Sequence, residues 1–184
     1  SSDLPAKLRE VVRYFISLAT LVGFCLATRA SEILMWGNSQ YYNPNIPAGL
    51  TNVVALGGGY SHTLALKEDG SVTTWGVGSL GSPQTTPIGL NNVVEVAGGY
   101  DHSLALQANG LVVAWGAGYG TNTPAGLSNV VAIAAGGAHN LAINADGTVT
   151  EWGGLANAPA DLAGAIAVAC GANHSLALRW GEIG

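Results

Sequence analysis

The chain has 184 residues, enough for one domain with its own core, and 48% of them are hydrophobic, which excludes a wholly disordered polymer. Asp, Glu, Lys and Arg make up only 9% of the sequence while 27 residues are Gly, a balance that favours tight turns and close backbone approach over long exposed helices. The net charge of −5 leaves little with which to neutralise phosphates, so nucleic acid is a poor partner.

The N-terminal stretch differs from the rest. "AKLREVVR" carries Lys7, Arg9 and Arg13, an uncharged run follows from Tyr14 to Leu26, and small residues stand at Thr28 and Ala30. This layout predicts a helical secretory signal peptide over 1–30, cleaved before Ser31, because the apolar run is too short to span a bilayer comfortably. The expected product, 31–184, is secreted, periplasmic or on the cell surface, with no membrane contact after cleavage. It keeps two basic side chains, Lys67 and Arg179, against nine acids. Cys25 leaves with the signal and Cys170 stands alone, so no internal disulfide is expected.

From residue 53 onward one phrase recurs. "VVALGGGYSHTLALKEDGSVTTWG" (53–76), "VVEVAGGYDHSLALQANGLVVAWG" (93–116) and "VVAIAAGGAHNLAINADGTVTEWG" (130–153) align without a gap, and "AIAVACGANHSLALRWGEIG" (165–184) is a partial fourth copy. All four histidines, His62, His102, His139 and His174, fall at one position of the repeat, and a period of this size signals a repeat architecture. Within a copy, "VVAL" reads as a short, doubly covered inner strand, "HTLALK" places Leu64 and Leu66 on one face, and "SVTTWG" is a β-branched strand ending in an aromatic. The linking "EDG", "ANG" and "ADG" put Gly70, Gly110 and Gly147 where a tight hairpin needs positive φ. "SPQTTPIGL" (82–90) supplies a fourth, edge-like strand where Pro is tolerated. Small antiparallel sheets repeated in this way describe the blades of an all-β propeller.

The phrase "GGYSHTLAL…DGSVTTWG" resembles the repeat of the regulator of chromosome condensation family, which includes the secreted bacterial propeller-type β-lactamase inhibitory proteins. The resemblance covers 32–184 and implies a β-propeller with a half blade at 31–50, whole blades at 51–90, 91–127 and 128–162, and a partial closing blade at 163–184. It also implies that the N-terminal strand completes the last blade, which hides both sheet edges. About four blades are visible. That leaves open a small ring, a half that pairs as a homodimer, or a chain cut short at its C-terminus.

The histidines could be metal ligands, but one per blade places the rings apart and no carboxylate repeats with them. Buried rings satisfied by turn carbonyls at blade junctions are the simpler expectation. Trp36, Trp75, Trp115 and Trp152 hold a fixed repeat position, which suits packing between blades, whereas Trp180 falls too early and is read as a hairpin tip. Ser61 and Ser103 neighbour His62 and His102, but adjacent strand residues point to opposite faces and cannot pair as nucleophile and base. The Gly-rich turns lack the helix and Gly-Lys-Ser pattern of a phosphate loop.

Antiparallel order puts the "GGYSH" turns and the loops after Trp-Gly at one end of the blades. Tyr41, Tyr42, Tyr60, Tyr100, Asp101 and Tyr119 all fall there, and tyrosine combines apolar area with a hydroxyl in the way a binding face requires. The expected function is an exported, non-catalytic propeller that binds a protein through this end, without cofactor or metal. In the inhibitors, the resemblance implies, loops on one face occlude an enzyme. The family's nucleotide-exchange activity is disfavoured by export and by the absence of long inserts. A structural module of a larger secreted protein is the alternative, and a glycan-acting enzyme with paired carboxylates a third.

Overall fold

The computed structural model describes residues 32–37, 45–77, 85–154, 157–159 and 162–180. The expected signal peptide lies outside the described residues, and so do Tyr41 and Tyr42. Apart from one 3-10 turn at Tyr119–Thr121, every regular element among the described residues is a β-strand, and no helix among them is long and apolar enough to cross a membrane.

Three sheets have three antiparallel strands each. The first contains β1 (Val53–Gly58), β2 (His62–Lys67) and β3 (Val72–Gly76); the second β4 (Val93–Gly98), β5 (His102–Gln107) and β6 (Val112–Gly116); the third β7 (Val130–Ala135), β8 (His139–Asn144) and β9 (Val149–Gly153). The fourth holds only β10 (Ala165–Cys170) and β11 (Ser175–Arg179). This is the blade arrangement of an all-β propeller. The second strand of each whole blade is the central one, flanked by a partner on each side, and β5 and β8 are buried at five of their six positions.

The hairpin between second and third strands forms as its sequence dictates. Gly70, Gly110 and Gly147 take φ of 76°, 80° and 82°. Each turn is locked by its acidic or amide residue: Asp69 Oδ1 accepts from the Ser71 amide at 2.9 Å, Asn109 Oδ1 from Leu111 at 3.1 Å and Asp146 Oδ1 from Thr148 at 2.9 Å. These are Asx turns, in which a short side chain substitutes for a backbone acceptor.

Two strand expectations are corrected. The first strand is not a doubly covered inner strand: Val54, Val94 and Val131 are exposed. The ladder explains why, because the register slips between Val53 and Ala55, Val93 and Glu95, and Val130 and Ala132, leaving Val54, Val94 and Val131 on a bulge that turns outward. The fourth, edge-like strand is absent among the described residues. Instead Pro87–Leu90 and Pro124–Leu127 close β-turns, Leu90 N donating to Pro87 O and Leu127 N to Pro124 O, with Gly89 and Gly126 at positive φ in the third position. The turn folds Leu90 and Leu127 back against the core instead of extending the sheet.

The core is built between blades. Leu64, Leu66 and Val72 of the first blade pack with Val93, Ala105 and Trp115 of the second, and Leu104 and Leu106 of the second pack with Val130, Ile133, Ala142 and Trp152 of the third. Each fully buried Leu side chain contributes roughly 1.5–3 kcal/mol by leaving water, so most of the stability resides at the junctions. Trp36 shares the repeat position of Trp75, Trp115 and Trp152 but is 85% exposed. Among the described residues, 32–37 lie in no strand and the sheet of β10 and β11 has two members.

Candidate functional site

The glycine turns at the start of each second strand bring successive blades together. Tyr60 N donates to Gly99 O at 3.1 Å, Tyr100 N to Gly136 O at 3.2 Å and Gly137 N to Ala172 O at 3.1 Å. Only glycine fits this approach, since a Cβ on Gly59 or Gly99 would stand 2.7 Å from the next blade's carbonyl and closer still to its own blade's histidine ring.

Beneath these turns His62, His102 and His139 are buried, and the first two take partners from the next blade, while neither ring nitrogen of His139 has a hydrogen-bond partner among the described residues. His62 Nε2 lies 3.0 Å from Ser103 Oγ, and His102 Nε2 lies 2.6 Å from Asn140 Oδ1. For His62 and His102 this corrects the expectation of turn carbonyls as partners: each ring bonds the side chain that follows the next histidine, whereas Ser175, which follows His174, donates to Glu151 instead. Ser103 and Asn140 are buried along with the rings, so the Ser–His pair is sealed between blades and offers no approach to a substrate. Burial holds both His62 and His102 below the ordinary histidine value near 6.5; neighbouring His102 lowers His62 further, while the Asn140 bond opposes the shift of His102.

Gly120 is a hub that the sequence does not announce. Its carbonyl accepts from Asn140 Nδ2 at 2.8 Å and from Trp152 Nε1 at 3.2 Å, and its α-carbon packs so closely on the His102 ring that a side chain has no room. The 3-10 turn carrying Tyr119 is thereby fixed across two blades.

The loops after the third strands run back beside the glycine turns, as Val77 N to Ser61 O, Ala117 N to Asp101 O and Gly154 N to Ala138 O show. Tyr60, Tyr100, Asp101 and Tyr119 thus share one end of the blades. Tyr60 and Tyr100 are stacked with centroids 4.1 Å apart and planes 12° from parallel. They keep 43% and 39% of their surface exposed, and Tyr119 keeps 71%. Hydrogen bonding to Tyr100 raises the Tyr60 hydroxyl above its usual range, so the Tyr60 ring is neutral at physiological pH. The third and fourth blades carry Gly137 and Ala172 at the tyrosine position, so the ladder stops after two rings.

At the opposite end a shallow depression lies between the Pro124–Asn129 linker and Asn144, Asp146 and Thr150. Asn144 Nδ2 donates to Thr148 Oγ1 and Thr150 Oγ1, and Asp146 accepts from Thr148, while Asn144 Oδ1 is buried without a hydrogen-bond partner among the described residues. Among the described residues no three His, Cys, Asp or Glu side chains gather as metal ligands do. Cys170 is free, and burial followed by the nearby Glu151 carboxylate pushes its thiol up to about 11, which makes it a poor nucleophile.

This construction defines a class. The regulator of chromosome condensation (RCC1) repeat is matched over residues 53–81 and 93–120, the first two blades, and the sheet arrangement is that of the β-propellers built from this repeat. Among solved structures the chain is similar to the ectodomain of the receptor kinase CR4 from Physcomitrella patens (28% identity, TM-score 0.61, covering 74% of this chain and 41% of that one). It is also similar to Prp20p from Saccharomyces cerevisiae, solved with its binding properties to Gsp1p and histones (25%, TM-score 0.56, 74% and 44%). The ectodomain of the receptor kinase ACR4 from Arabidopsis thaliana shares the fold (22%, TM-score 0.61, 80% and 58%). This chain spans between 41% and 58% of the length of these three. A comparison with curated proteins finds no match.

Proposed function

We propose that the protein is an exported, non-catalytic repeat module that binds another protein through the end carrying Tyr60, Tyr100 and Tyr119. The observation that carries this reading is the stacked Tyr60–Tyr100 pair, half-exposed on a backbone that glycine contacts hold rigid. Rigid aromatic side chains lose little entropy on binding and dominate protein interfaces for that reason. The similarity to Prp20p, solved with its binding properties to Gsp1p and histones, supports a protein as the class of partner. Export rests on the basic, then apolar, then small-residue order of 7–30. Tyr41 and Tyr42 belong to the same loop set by repeat position.

The test is affinity capture from the native extracellular fraction with three baits. Tyr60→Ala with Tyr100→Ala is expected to lose a partner held by the wild-type chain by about tenfold or more, whereas Asp146→Ala, at the other end, keeps it. Equal recovery with all three baits contradicts the proposal and favours a structural module.

A further inference from the structure

Building on the binding role of the tyrosine end, we propose that Asn140 and Trp152 are positioning residues for Tyr119. From inside the junction of the second and third blades they hold its exposed ring where a partner meets it, so binding depends on buried side chains that no partner touches.

The turn that carries Tyr119 is weak by itself. It spans three residues, Tyr119–Thr121, and no side chain caps its start. Its two backbone bonds, from Thr121 N to Gly118 O and from Asn122 N to Tyr119 O, are both 3.4 Å long. That is beyond the usual range for an amide donor, and a single 3-10 turn has poor bond geometry to begin with. Thr121 Oγ1 adds one bond of 2.9 Å to the same Gly118 carbonyl. Even so, Gly120 at the centre of the turn is buried.

The third blade holds it there. Gly120 O accepts from Asn140 Nδ2 at 2.8 Å and from Trp152 Nε1 at 3.2 Å, and these donors are only 0% and 5% exposed. Two bonds engage both lone pairs of the carbonyl. Lifting the loop would leave two buried donors without a partner, which is the expensive way to lose a hydrogen bond. Asn140 is itself oriented from the second blade, because its Oδ1 lies 2.6 Å from His102 Nε2 and so turns Nδ2 toward Gly120. His102 thus sets Asn140, Asn140 sets Gly120, and Gly120 sets the neighbouring Tyr119.

The tyrosine ring also reaches the third blade. Its Cδ2 lies 3.8 Å from the place a Cβ on Gly154 would occupy, and Gly154 N donates to Ala138 O. The preceding junction has a different pattern. Ser103 stands at the place of Asn140 and offers a single hydroxyl, which meets His62, and Trp115 Nε1 has no hydrogen-bond partner among the described residues. A side chain that is 71% exposed yet held from below enters an interface with its ordering already done.

The repeat itself supplies the variant that separates the two duties of Asn140. Asn140→Ser keeps a hydroxyl for His102, as Ser103 has for His62, but is too short to reach Gly120; Trp152→Phe removes the other donor and keeps an aromatic ring. In the full chain carrying both changes, hydrogen exchange at the Thr121, Asn122 and Thr123 amides is expected to accelerate by about tenfold or more, with the β5 and β8 amides unchanged. Recovery of the partner from the native extracellular fraction is expected to fall about tenfold, as it does for Tyr119→Ala. Ser103→Ala, which breaks the neighbouring junction instead, is expected to change neither readout. Unchanged exchange at 121–123 overturns the proposal, as does faster exchange with wild-type recovery, or a loss of protection that extends through β8. Recovery of no protein by the wild-type chain overturns the binding role of the tyrosine end, and the exchange rates then decide separately whether the two donors hold the turn.

Discussion

His102 Nε2 and Asn140 Oδ1 lie 2.6 Å apart across the junction of the second and third blades, and the Asn140 amide nitrogen bonds onward to the Gly120 carbonyl. One buried amide thus satisfies a ring and a loop at once. Asn140→Ala is expected to cost about 2–3 kcal/mol, since it leaves both partners buried without a bond. Ser103→Ala, which removes the single 3.0 Å contact to His62, is expected to cost about 1 kcal/mol. Urea denaturation of the two variants beside the wild type checks the order; equal losses contradict it.

Acid is expected to loosen the same junctions. His62 and His102 have folded values below the ordinary 6.5, so the unfolded chain binds more protons than the folded one as pH falls through that value. Their contribution is complete above pH 6.5 and declines as pH drops toward the folded values. Glu95 acts in the opposite sense. Burial raises its carboxyl above 4.5, against the bond it accepts from the Ile133 amide, so its ionisation destabilises the fold as pH rises from 4.5. Thermal melts between pH 4.5 and 7.5 are expected to show a steeper loss on acidification in Glu95→Gln than in the wild type. An identical slope contradicts the assignment.

Two neighbouring glycines have opposite tolerance. A side chain on Gly58 meets nothing within 4 Å, whereas one on Gly99 meets the Gly136 carbonyl at 2.7 Å and the His102 ring. Gly58→Ala is expected within about 0.5 kcal/mol of the wild type, and Gly99→Ala to lose about 2 kcal/mol or more through overpacking. Comparable melting temperatures for the two variants contradict the stacked-turn geometry.

Asn52, Asn92 and Asn129 take positive φ just before the first strand of each whole blade, and Gly164, at φ 68°, holds that position in the fourth. Their carbonyls accept from the hairpin amides of Glu68, Ala108 and Ala145. Asn92→Ala is expected to cost about 1 kcal/mol, whereas Asn92→Gly is expected to be neutral within about 0.5 kcal/mol, because glycine adopts this conformation without strain. Calorimetry on the two variants separates backbone strain from loss of the side chain.

Much of this architecture is legible in the sequence because it is local. The repeat, the second and third strands and the hairpin glycines depend on contacts within a few residues, and "EDG" dictates Gly70 whatever surrounds it. The bulge at Val54 was not legible, since "VV" reads as an apolar pair until the ladder shows that one residue has no place in it. The partners of the histidines escaped for another reason. Thr63, Ser103, Asn140 and Ser175 vary at one repeat position, and nothing local says that Ser103 and Asn140 bond a ring about forty positions earlier. The signal was present, because all four are small or polar at a position that is buried in Ser103 and Asn140. Gly120 carried no signal at all. The stacking of Tyr60 on Tyr100 was not legible, because it depends on the spacing of two blades.

The most direct measurement is photo-cross-linking from each end of the blades. A benzophenone amino acid placed at Tyr100, and separately at Asp146, is irradiated in the native extracellular fraction, and the adducts are resolved by mass. The account predicts a discrete protein adduct from position 100 and none from position 146. A discrete adduct from position 146 alone contradicts it.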